Sequence, residues 1–281
     1  MPPTRSRSSA AADADGAGAR RPTAPLLTVL RSRVRQPQFY WFLGHFLTLY
    51  HFIRFHLAMY SYRSQRYHYT RLLFYISGTY AIVLYQFYKS GQLKVGNLLP
   101  QLRRLDNLQY FCMLALLFVC SLTGATVSGA LYSPVIFSLF HCLNYFKENL
   151  LPFLPLTPLV KAVVNNKIAL FIQNHNERYL QMAQVFEIMC GFRSGLFGLP
   201  LALVRLLIRF SARNMASVVA MFGYVWFFKL RLQQTQSIRS ILAQFVYKLD
   251  SYINTRLPPQ IATRWHTYKQ LVQLLFSKIP A

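Results

Sequence analysis

The sequence predicts an all-α, polytopic helical membrane protein, with four to six short spans or hairpins followed by amphipathic helices on the cytosolic side. Three observations carry that prediction. Hydrophobic residues make up 54% of the chain and charged residues only 14%. The charges are also excluded from long stretches: Asp, Glu, Lys and Arg are absent from residues 107–146, and further uncharged runs cover 36–53, 72–88 and 214–228. A soluble helix keeps one face polar, whereas a helix in lipid does not need to. Third, 31 Lys and Arg stand against 7 Asp and Glu, a formal charge of +24. These basic residues sit at the ends of apolar runs rather than on one polar domain. Attraction to anionic lipid, about 1 kcal/mol per residue near the surface, explains that placement. A nucleic-acid binder would gather them into a patch, so no specific nucleic acid is expected.

Residues 1–35 read as a disordered basic N-terminal tail, because Pro, Ser, Ala, Gly and Arg recur there without apolar periodicity. No apolar core follows the early arginines as a signal peptide requires. The helical membrane domain is expected over 36–230. Its first segment, 39–60, carries His45, His51, Arg54 and His56, which are costly toward lipid and so should face neighbours or headgroups. A cleaner segment follows at 72–88, with tyrosines at both ends. The long uncharged run reads as a hairpin: 108–123 goes in, 124–133 turns and 134–146 returns. At the helical rise the arms are about 24 Å and about 20 Å long, short and better matched to a thin bilayer such as that of the endoplasmic reticulum.

A Pro-rich joint separates this hairpin from a helix opened by Thr157 and Pro158. Residues 179–210 are apolar but interrupted by Glu187, Arg193, Arg205 and Arg209, with Gly191, Gly195, Gly198 and Pro200 between them. That pattern predicts a broken or re-entrant helix pair. The last span is 214–230. Lys and Arg are frequent both before residue 36 and after residue 228, so the positive-inside rule puts both termini in the cytosol. Arg63, Arg66 and Arg71 dissent by falling on the other side.

The C-terminal region, 231–281, reads as basic amphipathic helices. Ile261, Trp265, Tyr268, Val272, Leu275 and Ile279 recur at steps of four and three, which lines them along one helix face. They are the candidate membrane-binding residues. The candidate basic contacts to lipid or a partner are Lys229, Arg231, Arg239, Lys248, Arg256, Arg264, Lys269 and Lys278. A basic face beside a Trp-bearing apolar face suits a helix lying in the membrane plane.

Enzyme chemistry is not expected. The histidine gaps on the first segment, 45 to 51 and 51 to 56, scatter the imidazoles around the helix instead of collecting them for a metal. The cysteines follow no ligand or disulfide spacing, and no phosphate loop, nucleophile elbow or carboxylate pair occurs. No catalytic, metal or cofactor site is therefore assigned. Glu187 is an acid inside an apolar run. It serves either as half of an ion pair with Arg193 or another nearby Arg, or, in an alternative transporter or channel reading, as part of a polar pathway with Arg54 and Arg193.

Residues 133–141 read Ser-Pro-Val-Ile-Phe-Ser-Leu-Phe-His, continuing Cys-Leu-Asn-Tyr. This block resembles the Pro-led apolar stretch ending in His of the transmembrane protein 33 family, which includes fungal perinuclear and pore membrane proteins. The stretch 180–190 with Glu187, the aromatic run 222–228 leading into Lys229 and Arg231, and the two closing basic helices follow in the same order. The resemblance covers about residues 36–281. It implies a non-enzymatic protein of the endoplasmic reticulum and nuclear envelope that shapes membrane curvature beside reticulon-type proteins. It also implies support of nuclear pore organisation or assembly, with C-terminal helices that touch an anionic or curved bilayer and a karyopherin or pore component.

Overall fold

The computed structural model describes residues 26–279, and among them every regular element is a helix. Residues 1–25 of the expected tail lie outside the described residues. Its last part is not tail: α1 (Leu26–Arg33) is helical, with Arg31 and Arg33 in its last turn favouring the C-terminal dipole end.

α2 (Pro37–Leu57) starts with Pro at its first position, where no N–H is needed. α3 (Tyr62–Lys89) is capped by Ser61, whose hydroxyl accepts from the Ser64 amide. It begins well before the segment predicted at 72–88, and its second and third turns already enter the core, where Tyr69 is fully buried and His68 nearly so. Short α4 (Leu98–Leu102) precedes α5 (Asp106–Leu122), which has Asp106 in its first turn. α6 (Tyr132–Tyr145), α7 (Pro158–Phe192), α8 (Leu199–Ile208), α9 (Ala212–Gln234), α10 (Gln236–Arg256) and α11 (Pro259–Lys278) complete the chain.

Six helices close a ring around one core, in the order α2, α3, α5, α9, α7, α6 and back to α2. Residue pairs give the directions. His51 meets His68, Arg66 reaches the Leu122 carbonyl while Tyr80 stacks on Tyr110, and Gln109 bonds Gln234. Successive neighbours from α2 to α9 are therefore antiparallel, so the start of α2 and the end of α9 lie at the same end of the bundle. Tyr69, Leu72, Ile76, Leu114, Leu117, Leu131, Tyr224 and Phe227 fill the centre, each at most 1% exposed.

Two predicted shapes need adjustment. The uncharged run goes in as α5 and returns antiparallel as α6, near the expected bounds, but the two arms stand across the ring from each other: α5 lies against α3 and α9, and α6 against α2 and α7. The connection carries the chain through the core rather than around a polar turn. Ala125, Val127, Ala130 and Leu131 are buried, the Val127 amide donates to the Tyr69 hydroxyl, and Gly124 takes φ 97° beside the Arg66 guanidinium. A side chain at that φ is strained.

The second correction concerns 179–210, where no break occurs. α7 runs through to Phe192 and passes into α8 by a π-helical turn, Arg193–Gly198. Pro200 lacks the N–H owed to the Leu196 carbonyl, and a wider turn absorbs that loss without ending the helix. Gly191 allows close approach to α9: a Cβ there would lie 2.6 Å from the Phe228 ring. Two helical runs, Pro158–Ile208 and Ala212–Gln234, are long and apolar enough to cross a bilayer, and α5 is a shorter apolar helix.

Candidate functional site

The last two turns of α9 hold the polar centre of the bundle and the base of the C-terminal hairpin together. Arg231 points inward and is 5% exposed. Its Nη1 lies 3.0 Å from Asp106 Oδ2 and its Nε 3.3 Å from Glu187 Oε2, and its guanidinium lies over the Tyr110 ring. Glu187, 1% exposed, also accepts through Oε1 from the Tyr110 hydroxyl and from Ser133 Oγ at 2.7 Å. Gln109 Nε2 donates to Gln234 and to the Leu102 carbonyl, and Gln234 Nε2 to the Arg104 carbonyl. One network therefore ties the beginnings of α5 and α6 to the last two turns of α7 and the end of α9. A buried charge is tolerable only when paired and hydrogen-bonded, and here the carboxylate of Glu187 has three donors.

Lys229, two residues earlier, turns the other way. Its ammonium donates to the carbonyls of Phe276 at 3.1 Å, Ser277 at 3.4 Å and Ile279. These carbonyls close α11, whose last turn has no intrahelical partners for them. The Phe276 ring meets Phe228 and Lys229. α10 is seated separately by Ile238, which is fully buried against Ile188 and Phe228, and by Ser237 Oγ donating to Gln184 at 2.7 Å. α11 folds back on α10 through Asp250, which accepts from Trp265 Nε1 and Lys269 Nζ, each at 2.6 Å. Those two donors hold the Asp250 carboxyl below the usual carboxylate range, Lys269 most strongly.

The predicted membrane stripe on α11 is divided between two faces. Trp265 and Val272 are half-buried, in line with Lys269 and Phe276 on the side that meets α10 and α9, and Ile279 is half-buried beyond the helix end. Ile261, Tyr268 and Leu275 remain exposed, joined by Leu271 and Leu274. Leu271 is three residues beyond Tyr268, so the same periodicity would have found it. Phe245, Tyr247 and Tyr252 add exposed aromatic surface on α10. Of the predicted basic contacts, Arg239, Lys248, Arg256, Arg264 and Lys278 are exposed and Lys269 is half-buried in its pair with Asp250. Lys229 and Arg231 are buried and already spent on α11 and on Glu187, so neither is a free lipid contact.

Arg54, Glu187 and Arg193 do not form a pathway. Arg54 is exposed on α2 and Arg193 on the π-turn, whereas Glu187 is enclosed with Arg231 as its ion-pair partner. Histidines meet across helices that spacing could not link: His51 Nδ1 lies 2.9 Å from His68 Nδ1, and the His45 and His141 rings are 4.8 Å apart. No group of three or more His, Cys, Asp or Glu suited to a metal occurs among the described residues.

Comparison with known proteins gives these features a context. The family model for transmembrane protein 33/nucleoporin POM33 matches residues 27–278. The pore and endoplasmic reticulum protein of 33 kDa of Saccharomyces cerevisiae is 55% identical over 92% of this chain and 97% of its own length. Tetra-spanning protein 1 of Schizosaccharomyces pombe is 24% identical over 85% of this chain and 84% of its own. Nucleoporin POM33 of Chaetomium thermophilum is 25% identical over 90% of each chain. No solved structure matches. The matched region takes in the helical ring, the buried Glu187–Arg231 centre and nearly all of the C-terminal hairpin, and the chain belongs to the transmembrane protein 33/nucleoporin POM33 family.

Proposed function

We propose that this chain is a non-enzymatic organiser of endoplasmic-reticulum and nuclear-envelope membrane that shapes curvature and supports nuclear pore organisation. The names of its relatives, pore and endoplasmic reticulum protein and nucleoporin, support the location. The observation that carries the mechanism is the outer face of the α10–α11 hairpin. Ile261, Tyr268, Leu271 and Leu275 are 47%, 42%, 50% and 60% exposed, beside the exposed cations Arg264 and Lys278.

Burying these half-exposed side chains in a headgroup layer stabilises association by about 1 kcal/mol each, and each nearby cation adds about 1 kcal/mol on an anionic leaflet. The hairpin inserts shallowly on the side of both termini, the cytosolic side, and expands that leaflet relative to the other. Reticulon-type proteins, pore components and a karyopherin are the partners this role implies.

Flotation of the full chain does not isolate the hairpin, because the spans insert regardless. The test is therefore a morphology and accessibility measurement on reconstituted protein. Leu271→Asp with Leu275→Asp should leave the spans inserted, raise solvent accessibility along α11 and reduce vesicle tubulation. Unchanged tubulation with a folded double variant overturns the wedge.

A further inference from the structure

At the end of the bundle where α2 begins and α6 ends, two cavities adjoin and share Trp41. The inner one, about 320 Å³, is lined by Trp41, His45, Tyr80, Phe137 and His141, with Asp106 among its walls. The outer one, about 450 Å³, is lined by Arg33, Gln36, Gln38, Tyr145 and Asn149. Both volumes fall in the range of small-molecule sites, roughly 300–1,000 Å³.

The charges in the two cavities differ in sign. In a chain with 31 Lys and Arg, the inner cavity is lined by neither. It lies against a network in which two carboxylates, Asp106 and Glu187, share one guanidinium, that of Arg231. Asp106 spends Oδ2 on that guanidinium and its side chain is still 52% exposed. Aromatic faces beside an incompletely neutralised carboxylate attract a cation, and an alkylated ammonium above all. His45 already engages Ser138 through Nδ1 at 2.9 Å. The outer cavity offers the guanidinium of Arg33, half-buried and steadied by Gln36 at 3.2 Å, together with side-chain amides. These are phosphate-binding groups.

We propose that the paired cavities bind the headgroup of a zwitterionic phospholipid, with its ammonium against Trp41, Tyr80 and Asp106 and its phosphate on Arg33. A lipid fits better than a soluble amine, because the site lies at the level where α2 enters the bundle. From there α2 presents Phe46, Tyr50, Ile53 and Leu57 outward, all about half exposed or more, as a surface for acyl chains. The site is separate from the C-terminal hairpin and does not depend on its role.

The test uses the full chain in detergent, equilibrated with equal amounts of phosphatidylcholine and phosphatidylglycerol and examined by native mass spectrometry. Phosphatidylcholine adducts should exceed phosphatidylglycerol adducts several-fold. Asp106→Asn should abolish the preference, whereas Arg33→Gln should weaken both lipids alike. Trp41→Leu, which lies outside the Glu187–Arg231 network, should also abolish the preference and serves if Asp106→Asn melts early. Equal retention of the two lipids by the wild type overturns the proposal, as does an unchanged preference in a folded Asp106→Asn or Trp41→Leu chain. Soluble phosphocholine that binds where phosphatidylcholine shows no enrichment would place a free metabolite in the site and overturn the lipid assignment.

Discussion

Replacing Arg231 with Met tests whether the buried network holds the ring together. Met matches much of the aliphatic stem of Arg but removes the guanidinium, which sits 3.3 Å from Glu187 and 3.0 Å from Asp106. Asp106 is half exposed and loses little, since water replaces the partner. Glu187 is 1% exposed and is left as a buried charge with only the Tyr110 and Ser133 hydroxyls. Breaking a buried pair from one side costs about 3–5 kcal/mol. At about 2–4 °C per kcal/mol for a chain of this class, the melting temperature of the detergent-solubilised protein should fall by about 6–20 °C. Glu187→Gln in the same chain removes the stranded charge while keeping an acceptor for both hydroxyls. The double variant should therefore recover most of the loss, giving a coupling of about 2–3 kcal/mol. The assay is thermal loss of the monodisperse peak in fluorescence-detected size-exclusion chromatography. A single variant that melts within a degree or two of wild type, or a double variant that melts at the sum of the two losses, refutes this account.

Lys229→Met removes the donor that closes α11 and should speed amide exchange over the last two turns of α11 while α10 stays protected, as read by hydrogen–deuterium exchange. The hairpin should also depend on pH. Asp250 has a lowered folded pKa because Lys269 and Trp265 donate to it, so its contribution is complete above the unfolded value, about 3.9, and is lost as pH falls through the folded value. Protease sensitivity near the α10–α11 joint should rise only on acidification below about pH 4, and Asp250→Asn should make it insensitive to pH in that range. Gly191→Ala places a Cβ 2.6 Å from the Phe228 ring and should destabilise by about 1–3 kcal/mol through overpacking, measured as a lower melting temperature.

Helix positions were legible where periodicity or charge exclusion marks them. The apolar segments, the capped start at Thr157 and the two closing amphipathic helices are properties of consecutive residues. Neighbours were not legible. Glu187 stands out because it is an acid in an apolar run, but its partner Arg231 is 44 residues away and looks like an ordinary juxtamembrane cation. Lys229 misleads for the same reason, since nothing local shows that the end of α11 returns to it. The 124–133 stretch reads as a turn from its Gly and Ser content, yet its apolar residues are what the core takes up. On α11 the apolar arc is wide enough to serve two surfaces. Periodicity reports the arc but does not say which part meets α10. The His51–His68 contact joins two helices and has no counterpart in sequence spacing.

The elements differ in how firmly they are held, and that difference bears on mechanism. α9 ends with Phe227 in the core, Phe228 against α7 and α11, Lys229 on α11, and Arg231 on Glu187. α10 is anchored by fully buried Ile238 and by the Ser237–Gln184 bond. α11 has no buried residue, and it is tied by the Asp250 pair and the His266–Asn254 hydrogen bond at one end and by the Lys229 and Phe276 contacts at the other. Segments with little buried apolar surface open at the lowest free energy. α11 is therefore expected to open more readily than α10 or the ring. Opening exposes Trp265, Val272 and Phe276 beside the already exposed Ile261, Tyr268, Leu271 and Leu275, reuniting the stripe that docking divides. Under the proposed membrane role, a bilayer that takes up the whole stripe would compete with Lys229 and Asp250 for α11, and the strength of those contacts would set how much lipid affinity is needed to release it.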